Sequence, residues 1–401
     1  MTHTNASVKA QASQYIINTY GEARTLALVR GEGPYVWDAD GRRYLDFLGG
    51  LAVNALGHCH PNVVDALQKQ AAQLIHCSNL YYIEPQARLG QRLVENSFAD
   101  KGFFCNSGAE ANEAAIKLAR KYAKDQGNPD KTTVITMKQS FHGRTIATVT
   151  ATGQPKYHVG FEPLAPGFTI IPFDDLDAAR ETVDETVCAV LVEPIQSEGG
   201  VNEPAHGYLA GLREICDAQG ALLILDEVQT AMGRLGTLWG YEAYGVQPDI
   251  VSLAKALGGG APIGAILTTD KIAESFGPGT HASTFGGNPL CAAAADASFK
   301  TVLDENLAAN AAEMGGYLEK RMLALQDSFD CVKGMRGRGL LRGLEVSIDG
   351  NALASECIEN GLISICTNNH ILRFLPPLNI EKTHVEEAAD IVEQSLRSLL
   401  K

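Results

Sequence analysis

The chain has 401 residues, room for two to three units at about 150 residues each. Its 45% hydrophobic and 20% charged residues are ordinary globular composition. The 33 basic and 47 acidic side chains give a net charge of −14, which argues against a broad nucleic-acid or anionic-membrane surface but leaves room for a small anion in one pocket. In chain order, residues 36–44 read as a hairpin turning at Asp40-Gly41. Residues 109–124 read as a helix, with Ala115, Leu118, Ala119 and Tyr122 at 3–4 spacing. Short β-rich runs follow at 132–137, 169–172, 189–192, 221–225, 250–253 and 264–268, with helical stretches between several of them, such as 209–219. Near-continuous apolar strands alternating with helices predict a mostly parallel sheet covered on both faces. After about residue 300 the pattern changes. A long helix at 307–325, strands at 341–346, 362–366 and 371–375, and a terminal helix at 385–400 predict a second, smaller α+β unit.

No apolar run approaches the roughly 18–20 residues needed to span a bilayer, and the polar start lacks a signal-peptide core. The nine cysteines are odd in number, scattered, and contain no C-x-x-C. That reads as free thiols in a reducing, cytoplasmic setting. His58-Cys59-His60 and His76-Cys77 fit no usual zinc spacing, so they read as turn or buried residues and no metal is expected. Forty glycines are an excess over ordinary usage and point to places where backbone comes close to something.

In a doubly wound fold the ligand sits beyond the carboxyl ends of the strands, so polar residues just after the apolar runs carry the argument. Asp226 and Glu227 close the run 221–225. They could cap a helix or hold Mg²⁺, but the chain has no G-x-x-x-x-G-K-[ST] phosphate loop for a nucleotide hydrolase. Lys255 follows the run 250–253, among apolar residues and ahead of Gly258-Gly259-Gly260. A surface lysine would snorkel; one shielded from water has a lowered pKa and becomes a nucleophile for carbonyls. Ser107, Gly108 and Ala109 run straight into a helix, either as a plain cap or as a ready anion site. Phe141 and Arg144 lie within four residues, an aromatic face and a guanidinium that could also be core and solvated charge. Together these supply an aldehyde-binding lysine, a carboxylate for a ring nitrogen, a phosphate cradle and a flat aromatic surface. Those are the requirements of pyridoxal 5'-phosphate.

The sequence resembles the class III (ω-amino acid) aminotransferases over roughly residues 15–400. The resemblance rests on Gly57-His58-Cys59-His60-Pro61, Phe104 to Glu113, Phe141-His142-Gly143-Arg144-Thr145, Asp226 to Thr230, Lys255 to Gly260, and Ser283-Thr284-Phe285-Gly286-Gly287-Asn288-Pro289. It implies the fold type I of pyridoxal-phosphate-dependent transferases. Three parts are expected: residues 1–50 packing with the small domain, a large cofactor-binding domain at 51–300, and a small C-terminal domain at 301–401.

The resemblance also implies roles. Lys255 bonds the cofactor aldehyde and carries the proton. Asp226 pairs with the pyridinium nitrogen. Val228 and Gln229 belong to the cofactor set, with Gln229 near the ring hydroxyl, and Phe141 stacks on the ring. Ser107, Gly108 and Ala109 hold the phosphate. Thr284 reaches the phosphate bound by a neighbouring subunit, which implies a homodimer with shared sites. Arg144 and Ser283 touch the donor, and Arg373 grips a carboxylate of glutamate or 2-oxoglutarate. Glu198 pairs with Arg373 when the ω-amine is bound. The expected donor is N2-acetyl-L-ornithine, as arginine biosynthesis requires, with succinylornithine, ornithine and 4-aminobutyrate as alternatives. Ser197, Ala231, Leu235, Ala282 and the proline-free stretch 20–25 depart from the family pattern, all expected away from the cofactor set. A nicotinamide-dependent oxidoreductase is the alternative of another class, resting on the glycines at 337, 339 and 343, whose spacing misses G-x-G-x-x-G by one residue.

Overall fold

The structure is a computed structural model, which describes residues 4–21 and 25–401. The stretch 20–25 therefore lies partly outside the described residues. Strands β1 (Leu28–Glu32), β2 (Tyr35–Asp38) and β3 (Arg43–Asp46) form an antiparallel meander. Between β2 and β3 the Gly41 N–H donates to the Asp38 carbonyl, and Gly41 takes φ +88°, which an L side chain resists. The Asp-Gly turn is where the sequence puts it.

The central sheet has seven strands: β4 (Lys101–Cys105), β5 (Thr133–Met137), β6 (Phe168–Ile171), β7 (Val187–Val192), β8 (Leu222–Asp226), β9 (Ile250–Leu253) and β10 (Gly264–Thr268). Their order is β4-β10-β9-β8-β7-β5-β6. All neighbours are parallel except β10, which runs against both β4 and β9. β7 is buried at every position because both faces are covered. The pleat divides its side chains. Ala189 and Leu191 pack with Ala111, Ala115 and Leu118 of the helix Gly108–Asp125. Val190 and Val192 join the core that holds Leu209 and Leu212 of the helix Tyr208–Gln219.

A third sheet contains β11 (Val332–Arg338), β12 (Leu341–Val346), β14 (Ile365–Thr367) and β15 (Ile371–Phe374), in the order β11-β12-β15-β14. The helices Leu307–Leu323 and Gly350–Glu359 pack on it, and the helix Lys382–Leu399 packs against both of them. The run read as one strand at 362–366 is two. β13 (Leu362–Ile363) lies parallel to β3, whereas β14 pairs with β15. Buried Ser364 marks the crossing from one sheet to the other. A continuous apolar run cannot reveal such a switch, because both partners are remote in sequence. Edge strand β4 and the helices Pro61–Gln73, Glu84–Glu95 and Pro289–Asp304 carry no helix or strand pattern singled out in the sequence.

The glycines at 337, 339 and 343 belong to the β11–β12 hairpin, where Gly337 pairs with Arg342 and no helix opens, so the nicotinamide reading loses its motif.

Candidate active site

Asp226 ends β8, and Lys255 lies two residues beyond β9. Glu193 follows β7, Phe141 and His142 follow β5, and Ser107 follows β4. These strands point the same way, so their carboxyl ends open on one edge of the sheet. A cavity of about 250 Å³ lies there. Gly108, Ala109, Phe141, Arg144, Asp226, Val228, Gln229 and Lys255 line it, eight residues singled out in the sequence.

Lys255 takes φ +47°, a left-handed conformation that costs a residue with a Cβ about 1–2 kcal/mol. Burial lowers its amine from 10.5 to about 8, with the Glu198 carboxylate opposing and the Arg373 guanidinium reinforcing the shift. A neutral amine is the nucleophilic form. Asp226 Oδ2 accepts from Asn112 Nδ2 at 2.7 Å and lies 2.8 Å from His142 Nδ1, while Oδ1 accepts from the Val228 N–H at 3.1 Å. Beside it, burial and then the charge of Asp226 push the Glu193 carboxyl well above its ordinary range. Glu193 accepts the N–H groups of Phe141 (2.9 Å) and Ser197 (3.3 Å), fixing both loops to β7.

Ser107 caps the 18-residue helix Gly108–Asp125, its hydroxyl accepting the Glu110 N–H at 3.2 Å. The first N–H groups of a helix have no preceding turn to receive them, and the helix dipole favours an anion there. The glycines beside this cavity serve the protein's own packing. A Cβ on Gly108 would stand 3.0 Å from both Val228 methyls, and one on Gly143 only 2.7 Å from Ala109 Cβ and Thr148 Oγ1. At both positions the backbone comes close to protein atoms.

Arg373 reaches the site from β15. It is fully buried, and its Nη1 lies 3.0 Å from Glu198 Oε1 and donates to Ser197 Oγ at 3.0 Å. Ser197 Oγ donates to Gln229 Oε1 at 3.0 Å, and Gln229 Nε2 donates to Glu198 Oε1 at 3.4 Å. Burial works to raise the Glu198 carboxyl, but the charges of Arg373 and Lys255 outweigh it and hold it below the ordinary range. Ser197 therefore touches Gln229 directly, which corrects the expectation that the departures from the family pattern stay away from the cofactor set. Arg144 is exposed, with its guanidinium 4.0 Å over the Tyr157 ring and 5.6 Å from that of Phe141.

Ser283 and Thr284 line a separate cleft with Phe103, Glu110 and His281. Ser283 Oγ accepts from Asn106 Nδ2 (3.1 Å) and the Gly286 N–H (3.0 Å). Asn112, Glu193 and the bridging role of Ser197 were not read from sequence. A buried polar residue at one helical position gives no sign of the partner it meets 114 positions away, as Asn112 meets Asp226.

Residues 17–396 match the family described as Aminotransferase class-III. The chain is 49% identical to the acetylornithine aminotransferase of Caldanaerobacter subterraneus subsp. tengcongensis, covering 96% of this chain and 98% of that one. It is 46% identical to the succinylornithine transaminase of Photorhabdus laumondii, covering 95% and 96%. The ornithine aminotransferase of Toxoplasma gondii superposes with a TM-score of 0.95 at 36% identity, over 99% of this chain and 96% of that one. A second structure of that enzyme carries PLP at partial occupancy in its active site. The chain belongs to the class III aminotransferases, with the fold of the pyridoxal-phosphate-dependent enzymes. Its cofactor is pyridoxal 5'-phosphate, and the cavity fits that group: an amine whose pKa is lowered, a carboxylate held by Asn112, His142 and the Val228 N–H, and a helix N-terminus. Asn112 Oδ1 and His142 Nε2, both buried at the cavity, have no protein partner.

Proposed function

We propose that the protein transfers the distal amino group of N2-acetyl-L-ornithine to 2-oxoglutarate, giving N-acetyl-L-glutamate 5-semialdehyde and L-glutamate, in arginine biosynthesis. The observation that carries this reading is the ion pair of buried Arg373 with half-buried Glu198 beside Lys255. A ping-pong enzyme must take two differently shaped substrates in one site. With Glu198 on Arg373, the guanidinium is neutralised and an uncharged stretch of donor is tolerated. With Glu198 turned away, Arg373 takes a carboxylate of 2-oxoglutarate through two parallel hydrogen bonds. Arg144 receives the α-carboxylate of the donor, remote from the reacting amine, and Ser283, which lies in the separate cleft beside Thr284, joins it from a second subunit. Relatives 44–49% identical are named acetylornithine aminotransferases, which favours the acetyl-capped donor.

Bound pyridoxal phosphate supplies an aldehyde for amine exchange and a ring that accepts electrons from the bond broken beside nitrogen. Lys255 Nζ would hold the aldehyde carbon and would take up and return the substrate proton. Asp226 keeps a proton on the ring nitrogen, and Asn112 and His142 orient that carboxylate. Phe141 and Val228 would hold the ring, Gln229 its hydroxyl, and Ser107, Gly108 and Ala109 the phosphate. Thr284 completes the phosphate site of a second subunit in a homodimer. Exposed Leu80, Tyr81, Tyr82 and Phe285 lie along the same surface, and Asn79 Nδ2 donates to the Ser283 and Gly286 carbonyls there. We divide the chain at residues 50 and 300 into an N-terminal segment, a large cofactor domain and a small domain. The pairing of β3 with β13 supports grouping the first and last of these. The nine free thiols favour a cytoplasmic setting. Among the described residues, no helix is long and apolar enough to cross a membrane.

The test is kcat/KM for acetylornithine, succinylornithine, ornithine and 4-aminobutyrate, each with 2-oxoglutarate. Acetylornithine is expected among the two best donors, and the donor assignment fails if it ranks lower.

A further inference from the structure

We propose that Ser197 is a positioning residue that holds Arg373 in its carboxylate-binding place while Glu198 moves. The inference rests on the two-substrate reading above. Four side chains form a closed ring of hydrogen bonds. Arg373 Nη1 donates to Ser197 Oγ and Glu198 Oε1, Ser197 Oγ donates to Gln229 Oε1, and Gln229 Nε2 donates to Glu198 Oε1. The ring is not uniformly rigid. Ser197 is fully buried, with its N–H held by Glu193 at 3.3 Å, and the Arg373 side chain is 1% exposed. The Glu198 side chain is 23% exposed, and its backbone carbonyl is held separately by Thr367 Oγ1 at 2.6 Å. Glu198 can therefore swing its carboxylate out without moving its backbone.

When it does, Arg373 Nη1 loses an acceptor. Its Nε already has no partner. The Ser197 hydroxyl is then the contact that keeps the buried guanidinium in register, with its single proton committed to Gln229 and a lone pair turned to Arg373. Gln229 stays on Ser197 as well, so the cofactor side of the ring is not drawn after Glu198. The hydroxyl should matter most for a substrate whose carboxylate replaces Glu198. It should matter little for a donor bound while Glu198 remains on Arg373.

The test compares the wild-type holoenzyme with Ser197→Ala and Ser197→Gly, which remove the hydroxyl without adding bulk. Three quantities are read: the dissociation constant of glutarate, a dicarboxylate with no amine or ketone, by calorimetry, and KM and kcat for each substrate. Loss of one such hydrogen bond should weaken glutarate about three- to tenfold and raise the 2-oxoglutarate KM by a similar factor. The donor KM and kcat should change less than about twofold. Equal losses for donor and acceptor, or unchanged glutarate affinity in either folded variant, overturn the role. If one variant fails to fold, the other decides; if neither folds, Ser197 is structural and the proposal is overturned. Wild-type protein that does not turn over 2-oxoglutarate with any of the four amines refutes the two-substrate reading instead.

Discussion

Lys255 combines a left-handed backbone, a partly buried side chain lining the cavity and a depressed amine pKa. The direction of that shift has two consequences. Capture of pyridoxal phosphate needs the unprotonated amine, so the rate at which cofactor-free protein regains absorbance near 410–430 nm should rise with pH and level off above about 8. A midpoint near the ordinary lysine value would show that the amine is solvated. The unfolded chain binds a proton at this lysine between about 8 and 10.5 where the folded chain does not. Stability of the cofactor-free protein should therefore increase as pH rises through that window, other groups being equal. Lys255→Ala should abolish both the borohydride-reducible adduct and turnover. Surviving turnover would remove Lys255 from the mechanism.

At the level of elements, the cavity is assembled by close approach of loops to the helix Gly108–Asp125. Gly143 is the tightest such contact at the cavity, with φ +133° and neighbours 2.7 Å from where a Cβ would stand. Gly143→Ala forces the loop after β5 away from Ala109 and adds backbone strain. We expect a loss of about 2–4 kcal/mol in stability and weaker cofactor retention, because Phe141 and His142 move with that loop. Denaturant unfolding and dialysis of the holoenzyme measure the two effects. A variant within about 0.5 kcal/mol of wild type would mean that the loop yields freely. The β14 strand shows the other side of element-scale reasoning. Its apolar pattern was legible, but its partner was not, because β-pairing is decided by contacts far apart in the chain.

At the level of the whole molecule, Arg234 links the segment after β8 to the C-terminal sheet. It is fully buried, donates through Nη1 to the Leu340 carbonyl at 3.0 Å and the Pro376 carbonyl at 2.5 Å, and burial lowers it to about 9. Arg234→Ala removes a desolvated charge, which is favourable, but it leaves a cavity and two carbonyls without this donor. The latter terms are larger, and a net cost of about 2–4 kcal/mol is expected. The first unfolding transition should fall accordingly, and an unchanged midpoint would show that water replaces the guanidinium.

The sequence by itself determined the strand-helix alternation, the ends of β9, β10 and β12, and eight of the residues lining the cofactor cavity. These are local signals: apolar runs as long as a strand, turn residues, and motifs placed directly after them. Tertiary structure decided what each of those residues touches. It brought Arg373 from the C-terminal sheet onto Glu198, set Asn112 and His142 on Asp226, and left Ser283 and Thr284 in a separate cleft. It also gave the glycines their meaning, with Gly108 and Gly143 fitted against protein atoms. The physical reason is the same in each case. Periodicity and composition report which side chains are buried, whereas hydrogen-bond partners and packing distances arise only when segments remote in the chain are brought within a few ångströms.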